Sequence, residues 1–203
     1  MSSLWAHPAQ ALLEAAASPD ATPGGGATAA ITGAFGAALL GMAVGITQQK
    51  GDHAALAEVL EEVTALRGQL QGMADEDVQA FGTYVEAQHL PKEDPGRSAA
   101  LRTAGEAAMV VPLALARAVV GGLARAPELA AQVHPEVVSD VGAGASLLRG
   151  ALDAALLTVQ INLPHVPASK RGAIQAEHDR LRAQGTQAAQ ATLDTCHKRL
   201  GGK

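Results

Sequence analysis

The fold of the chain is decided by residues 56–87, which read LAEVLEEVTALRGQLQGMADEDVQAFGTYVEA. Apolar side chains recur in this stretch at steps of three and four residues, at Leu56, Val59, Val63, Leu66, Leu70 and Met73. Such steps place them on one face of an α-helix that packs along its length against other helices. We therefore predict one long helix from Gly51-Asp52, where Asp52 is a candidate N-cap, to Leu90-Pro91, where proline ends it.

A carboxylate occupies the next position of this apolar series. Asp77 follows Met73 by four residues, and the pattern resumes at Ala80, Tyr84 and Ala87 without a change of phase. Burial of an unpaired ion costs several kcal/mol, so such a side chain is usually paired, hydrogen-bonded or in contact with a water-filled site. Two interpretations remain open at this point: a structural ion pair with an arginine of a neighbouring helix, or a carboxylate that serves a functional site.

A second polar residue ends the apolar series of a later helix. From about Val138 to Leu163 the steps of three and four residues return, and the position after Val159 in this series is Asn162. An amide at the end of a buried face needs hydrogen-bond partners. At the other end of the same helix, Ser139-Asp140 is either a first-turn cap favoured by the helix dipole or part of a functional site.

Prolines, glycines and charged clusters divide the rest of the chain into further helices. The predicted helices are Leu4–Ala17, Ala27–Lys50, Arg97–Arg125, Pro127–Gln132 and Ser169–Leu200. Alanine, the best helix former, is abundant, and aromatic residues make up only 2% of the chain, which argues against an all-β protein. We predict an all-α fold: an up-and-down bundle of about five long helices plus short ones, in a single domain over residues 1–203.

Composition and charge argue against several classes of function. The 203 residues carry a net charge of −5 without a basic stripe, so a nucleic-acid-binding protein is not expected. The single cysteine, Cys196, cannot form an internal disulfide, and the start of the chain does not resemble a signal peptide, so a cytoplasmic location is expected. No two of the seven histidines are four residues apart and no glycine-rich nucleotide loop is present, so we expect neither a metal site nor nucleotide hydrolysis.

Residues 24–49 contain no charged side chain, and Gly41 and Gly45 have the spacing of a membrane helix-dimer motif. A membrane span is disfavoured, because glycine and threonine dilute the segment, no tryptophan or tyrosine flanks it, and no basic cluster adjoins it. We predict instead a central helix that is buried on all sides, whose small residues let neighbouring helices approach closely. No membrane association is therefore expected.

Short motifs along the whole chain, taken in order, resemble those of one protein family. They are Thr22-Pro23-Gly24-Gly25-Gly26, Gly45-Ile46-Thr47-Gln48-Gln49-Lys50, Asp77-Val78-Gln79-Ala80-Phe81, Leu90-Pro91-Lys92, Val111-Pro112-Leu113, Ser139-Asp140-Val141-Gly142 and Ile161-Asn162-Leu163. In these respects the chain is similar to the cyclodeaminase domain of formiminotransferase-cyclodeaminase and to its stand-alone relative, methenyltetrahydrofolate cyclohydrolase. It departs from the family pattern at Gly45, at Gln49 and around His134.

The resemblance implies a helical bundle that forms a homodimer, with a folate site near the glycine-rich turn and the dimer interface. It implies a reaction at the carbon held between N5 and N10 of tetrahydrofolate, as a methenyltetrahydrofolate cyclohydrolase or a formimidoyltetrahydrofolate cyclodeaminase. The folate derivative is then the substrate, and no separate cofactor is expected. The alternative is a catalytically inactive folate-binding or helical interaction dimer.

The residues that match the family motifs are the candidates for its site. Asp77 is the first candidate for the catalytic base or proton shuttle and Asp140 the second; either alternatively binds the amino-pyrimidine edge of the pterin. Lys50 is expected to bind the acidic glutamate tail or polarise the substrate, unless it is a solvated lysine at a helix end. The expected substrate-binding residues are Pro23, Gly24, Gly25, Gly26, Ser139 and Asn162. The glycines would supply backbone N–H donors, and Asn162 would orient water or the pterin carbonyl.

Overall fold

The computed structural model describes residues 3–51 and 56–201. Every regular element in these two ranges is a helix. The α-helices are α1 (Ala9–Ala17), α2 (Gly25–Gln49), α3 (Ala57–His89), α4 (Arg97–Gln132), α5 (Val138–Asn162) and α6 (Ala168–Gly201). Short 3-10 helices precede α1, α5 and α6, at Leu4–Ala6, Pro135–Val137 and Leu163–His165. The predicted all-α fold with five long helices is confirmed, and the candidate N-cap Asp52 lies outside the described residues.

Neighbouring long helices run in opposite directions, as expected of an up-and-down bundle. Gly26 of α2 faces Asp77 of α3, whereas Gly41, further along α2, faces Val63, earlier in α3. The α2 helix also packs along α5, and α4 packs against α3, α5 and α6. One end of the bundle, called here the Asp77 end, holds the start of α2 and the end of α5. The opposite end, called the Lys50 end, holds the end of α2 and the start of α5.

Small residues let α2 and α5 pack backbone against backbone. A Cβ built on Gly36 would lie 2.8 Å from the carbonyl oxygen of Gly144, and a Cβ on Gly144 would lie 2.9 Å from that of Gly36. Fully buried leucines, among them Leu70, Leu148 and Leu152, fill the space around these contacts. Burial of each such side chain stabilises the fold by about 1.5–3 kcal/mol. The apolar series predicted for α3 and α5 therefore form the core.

The helix predicted to end at Arg125 is longer than expected. A single helix, α4, continues through both Pro112 and Pro127 to Gln132. A proline inside a helix costs about 3 kcal/mol because it removes one backbone hydrogen bond and crowds the preceding turn. Ala126, Leu129 and Ala130 are fully buried on either side of Pro127, and this burial outweighs the cost. The predicted break between Arg125 and Pro127 is wrong for that reason.

The first predicted helix, Leu4–Ala17, is in fact two elements. A 3-10 helix covers Leu4–Ala6, and α1 begins at Ala9, directly after Pro8. Proline fits the beginning of a helix, where no backbone N–H is needed, and disfavours helical backbone in the residue before it. Pro8 therefore divides the predicted helix into two elements.

The prediction that α2 is buried on all sides is also wrong. Phe35 is 59% exposed and Met42 is 41% exposed, so one face of α2 is apolar and uncovered by the rest of the chain. Among the described residues, two helices, α2 and α4, are long and apolar enough to cross a membrane, and half of the most apolar window of α2 is buried inside the bundle. Core helices of bundles share that composition.

Candidate active site

A cleft of about 240 Å³ opens at the Asp77 end of the bundle. It is formed where α2 begins, α5 ends, and the middle parts of α3 and α4 pass by. Its lining includes Thr22, Gly24, Gly25, Gly26, Asp77, Phe81, Ala108, Thr158, Ile161 and Asn162. The fold thus brings together the glycine-rich turn and the two polar interruptions that the sequence pattern identified separately. Pro23 is half-buried. Its two neighbours in the sequence, Thr22 and Gly24, both line the cleft.

Asp77 lies directly against the first turn of α2. A Cβ built on Gly26 would overlap all three atoms of the Asp77 carboxyl group, so a glycine is required for the carboxylate to approach the helix this closely. The backbone N–H of Ala27 donates a hydrogen bond to the same carboxylate. Free N–H groups and the helix dipole make a helix N-terminus favourable for an anion. The glycine-rich turn therefore positions the acid in the cleft.

The pKa of Asp77 is raised above its ordinary value of 3.8, chiefly because burial disfavours the charged form. The hydrogen bond from Ala27 opposes this rise and is the smaller effect. In residues 3–51 and 56–201 no arginine, lysine or histidine forms an ion pair with Asp77, so the interpretation as a structural ion pair is wrong there. An unpaired carboxyl with a raised pKa in a cleft is suited to general acid–base catalysis.

Asn162 contributes the second polar group of the cleft. Its Nδ2 donates to the backbone carbonyl oxygen of Ala108 at 3.0 Å. Only the nitrogen of a carboxamide donates, so this contact fixes the orientation of the amide. The Asn162 Oδ1 receives no hydrogen bond from any described residue and is left as an acceptor.

Three of the predicted site residues lie at the Lys50 end instead. Helix geometry separates Lys50 from Gly25 by about 37 Å and Asp140 from Asn162 by about 33 Å, at 1.5 Å per residue. Lys50 forms an ion pair with the carboxylate of Glu136. Within one chain, Lys50, Ser139 and Asp140 therefore do not reach the cleft. Motif order along a sequence does not reveal at which end of a helix each motif will lie, which is why they were grouped with Asp77.

Ser139 does not cap α5 as the first-turn interpretation suggested. The helix begins at Val138, the residue at the N-cap position is Val137, and no side chain donates or accepts a capping hydrogen bond there. Ser139 is exposed, and Asp140 is half-buried in the first turn, where the helix dipole favours a negative charge.

The sequence interpretation missed an aromatic group beside the cleft. Phe81 lines the cleft, and its ring centroid lies 6.4 Å from that of Tyr84. The Tyr84 ring packs in turn on His165 at 5.2 Å, with its hydroxyl 3.4 Å from the His165 Nε2. Phe81 and Tyr84 follow Asp77 by four and seven residues, which is the spacing of one helix face. That spacing was the available signal in the sequence.

The described residues contain no group of three or more His, Cys, Asp or Glu side chains that could hold a metal ion. The expectation that no metal is required stays a prediction.

Comparison with known proteins agrees with this arrangement. The sequence matches the family model for formiminotransferase-cyclodeaminase over residues 8–180. It is 37% identical over 161 residues to a methenyltetrahydrofolate cyclohydrolase of Methylorubrum extorquens, an alignment that covers 75% of this chain and 77% of the relative. It is 33% identical over 172 residues to a formimidoyltransferase-cyclodeaminase of Sus scrofa, covering 81% of this chain. The aligned region spans only 32% of that longer relative.

The fold is similar to that of the crystal structure of formiminotetrahydrofolate cyclodeaminase from Thermotoga maritima. The TM-score is 0.85, and the superposition covers 98% of both chains at 22% sequence identity. That structural likeness supports the fold alone, whereas the family model covers most of the sequence. The chain therefore belongs to the formiminotransferase-cyclodeaminase family.

Proposed function

We propose that the protein is a folate enzyme that acts on the carbon bridging N5 and N10 of tetrahydrofolate. The two candidate reactions are hydrolysis of 5,10-methenyltetrahydrofolate and deamination of 5-formimidoyltetrahydrofolate with ring closure. The observation that carries the proposal is the unpaired Asp77 carboxyl, held with a raised pKa against the glycine-rich start of α2. The named activities of the relatives from Methylorubrum extorquens and Sus scrofa correspond to the two reactions.

Asp77 has the properties that both reactions require of an acid–base group. In the hydrolysis, water adds to the cationic methenyl carbon and loses one proton to Asp77. The hydroxyl of the adduct then loses its proton to solvent as the C–N5 bond breaks, and Asp77 returns its proton to N5, which gives the 10-formyl compound. In the deamination, N10 attacks the carbon of the protonated formimidoyl group, and Asp77 carries the N10 proton to the former imino nitrogen. The bond from carbon to that nitrogen then breaks, which releases ammonia and leaves the methenyl cation. A carboxylate beside the reacting carbon also stabilises its positive charge.

The other groups of the cleft are suited to bind and orient the folate. The backbone N–H groups of Gly24, Gly25 and Gly26 lie at the positive end of α2 and can donate to pterin oxygens. The Oδ1 of Asn162 is an acceptor for a substrate N–H or for the attacking water. No cofactor beyond the folate substrate takes part in the proposed reaction, and a cytoplasmic location is proposed with it.

The reaction is tested by the ultraviolet absorbance of the methenyl compound at neutral pH. Loss of the band faster than the spontaneous rate establishes a cyclohydrolase, and its appearance from 5-formimidoyltetrahydrofolate establishes a cyclodeaminase. Folate binding without turnover in either assay would instead support the inactive, folate-binding alternative.

We also propose that the active molecule is a homodimer formed through α2. The cleft of about 240 Å³ is smaller than the pockets of about 300–1,000 Å³ that usually hold a drug-sized ligand, so a whole folate needs further surface. Phe35 and Met42 are exposed and lie on either side of the midpoint of α2, where a two-fold axis would cross that helix.

Such a symmetric dimer would bring the Lys50 end of one copy beside the cleft of the other. Three proposed roles depend on that arrangement: Asp140 in acid–base catalysis or pterin binding, Lys50 in binding the glutamate tail or polarising the substrate, and Ser139 in binding the substrate. Sedimentation of the wild type and of Phe35→Glu tests it: the expected result is a dimer and a monomer, respectively, with the same helical circular dichroism. A monomeric wild type that turns over folate would contradict the proposal.

A further inference from the structure

A carbonyl group in the middle of α4 lacks the partner that a regular helix provides. In an α-helix each carbonyl oxygen accepts from the N–H four residues later. The residue four positions after Ala108 is Pro112, which has no N–H. The Ala108 oxygen instead accepts the Nδ2–H of Asn162 at 3.0 Å. Proline and asparagine are thus connected through one backbone carbonyl that belongs to a third residue.

This connection determines which way the Asn162 amide points. The amide is planar, with Nδ2 and Oδ1 on opposite sides of Cγ, so binding Nδ2 to α4 directs Oδ1 away from it. Asn162 lines the cleft, and no described residue donates to its Oδ1. Among the described residues no buried side-chain oxygen lacks a partner, so the partnerless Oδ1 of Asn162 is not buried. An acceptor with a fixed direction and no protein partner therefore belongs to a side chain that lines the cleft.

We infer that Pro112 is a positioning residue, which frees the Ala108 carbonyl to hold Asn162 with its Oδ1 fixed as a hydrogen-bond acceptor in the cleft. The inference builds on the proposed function and adds a specific role for the proline. The group recognised is an N–H or O–H donor, either on the pterin or on the attacking water. A donor on the substrate affects KM, whereas a donor on the water affects kcat.

The same helix supplies a matched control. Pro127 also lies inside α4, and the carbonyl it frees is that of Leu123. No side chain in the described ranges donates to Leu123, and neither Leu123 nor Pro127 lines the cleft. Pro127→Ala therefore restores a backbone N–H to the helix without affecting Asn162, whereas Pro112→Ala supplies a backbone N–H that competes with Asn162 for the Ala108 oxygen.

The first experiment needs no assay of activity. Asn162 is the only asparagine in the chain, so labelling with [¹⁵N]asparagine gives a single pair of side-chain amide resonances. In the wild type and in Pro127→Ala, we expect one proton of this pair to be shifted and protected from solvent exchange by the bond to Ala108. In Pro112→Ala, we expect both protons to exchange as in a free amide. A pair that is unchanged in Pro112→Ala would overturn the inference.

The second experiment is a double-mutant cycle on the steady-state constants. Pro112→Ala and Asn162→Ala are each expected to lower kcat/KM by about tenfold, since one fixed hydrogen bond is lost in each. The double variant is expected to be no worse than Asn162→Ala alone, because Pro112 acts through Asn162. Two losses that multiply would show that Pro112 supports the helix only and would overturn the inference.

The two proposals fail in different ways. A wild type that is inactive with both folate substrates contradicts the proposed function but leaves the amide resonances to decide whether Pro112 orients Asn162. An active wild type with unchanged amide resonances in Pro112→Ala contradicts the inference alone.

Discussion

The Asp77 end and the Lys50 end of the bundle are built from the same helices but differ in how their polar groups are satisfied. At the Lys50 end, Lys50 is paired with Glu136, and the thiol of buried Cys196 donates to the carbonyl of Val138. At the Asp77 end, the carboxyl has no cation beside it and the Asn162 oxygen has no donor among the described residues. Folding leaves polar groups without protein partners chiefly where a ligand supplies them. The difference therefore supports the proposal that the Asp77 end is the reactive end.

The strongest test of this difference is removal of the acid. Asp77→Asn keeps the shape and the acceptor for the Ala27 N–H but cannot take up a proton. We expect kcat to fall by about 10²- to 10⁴-fold, the usual contribution of a positioned acid–base group. The matched control is Glu76→Gln, which changes an exposed neighbour on the same helix and should leave kcat unaltered. Full activity in Asp77→Asn would remove this residue from the mechanism.

The second test asks whether the two ends act together across a dimer. Asp77→Asn and Asp140→Asn chains with different tags are co-expressed, and the doubly tagged dimer is isolated. If each site combines Asp77 of one copy with Asp140 of the other, this dimer contains one intact site and should have about half the wild-type activity. Each variant alone should be nearly inactive. A doubly tagged dimer without activity, or an active Asp140→Asn homodimer, would contradict the shared site.

The third test concerns stability and its dependence on pH. Burial raises the pKa of Asp77 in the folded state, so the folded protein binds this proton more tightly than the unfolded chain does. Ionisation of the buried carboxyl therefore lowers the free energy of unfolding as the pH rises from the unfolded pKa near 3.8 through the raised folded pKa. Below both pKa values the group is protonated in the folded and the unfolded state and does not lower stability.

Asp77→Asn removes this cost and is expected to unfold at a higher temperature than the wild type near neutral pH. A gain of about 1 kcal/mol would raise Tm by about 2–4 °C in a chain of this size. The gain should shrink as the pH is lowered toward 4, which thermal denaturation followed by circular dichroism will measure. A variant that is less stable than the wild type at neutral pH would indicate that the carboxylate is satisfied in the fold.

The smallest effect is expected at the Lys50 end. The Lys50–Glu136 pair is exposed, and exposed ion pairs contribute little to stability. Lys50→Ala should leave Tm almost unchanged, yet raise KM for a polyglutamylated folate while KM for the monoglutamate stays the same. Lys198→Ala, at an exposed position in the last turn of α6, is the matched control for loss of a lysine. Equal KM changes for both folates would argue against a role of Lys50 in binding the tail.

Much of the fold was predictable because helix periodicity is a local property. The apolar series that end at Met73 and at Val159 predicted which faces of α3 and α5 are buried. Every residue of both series is buried in the structure. The end of α4 was mispredicted because a proline has a local cost that burial elsewhere in the fold offsets. The exposed face of α2 was also mispredicted, since an uncharged segment looks the same in sequence whether a neighbouring helix or a second copy covers it.

The sequence by itself determined that the chain is all-helical, that two polar residues interrupt apolar helix faces, and that its motifs follow the order of one family. Only the tertiary structure decided that Asp77 and Asn162 meet in one cleft while Lys50 and Asp140 lie at the other end. It also decided that the carbonyl freed by Pro112 is used by Asn162. The physical reason is that periodicity fixes the face of a helix on which a side chain lies. The packing of antiparallel helices fixes which side chains of different helices lie at the same level along the bundle axis.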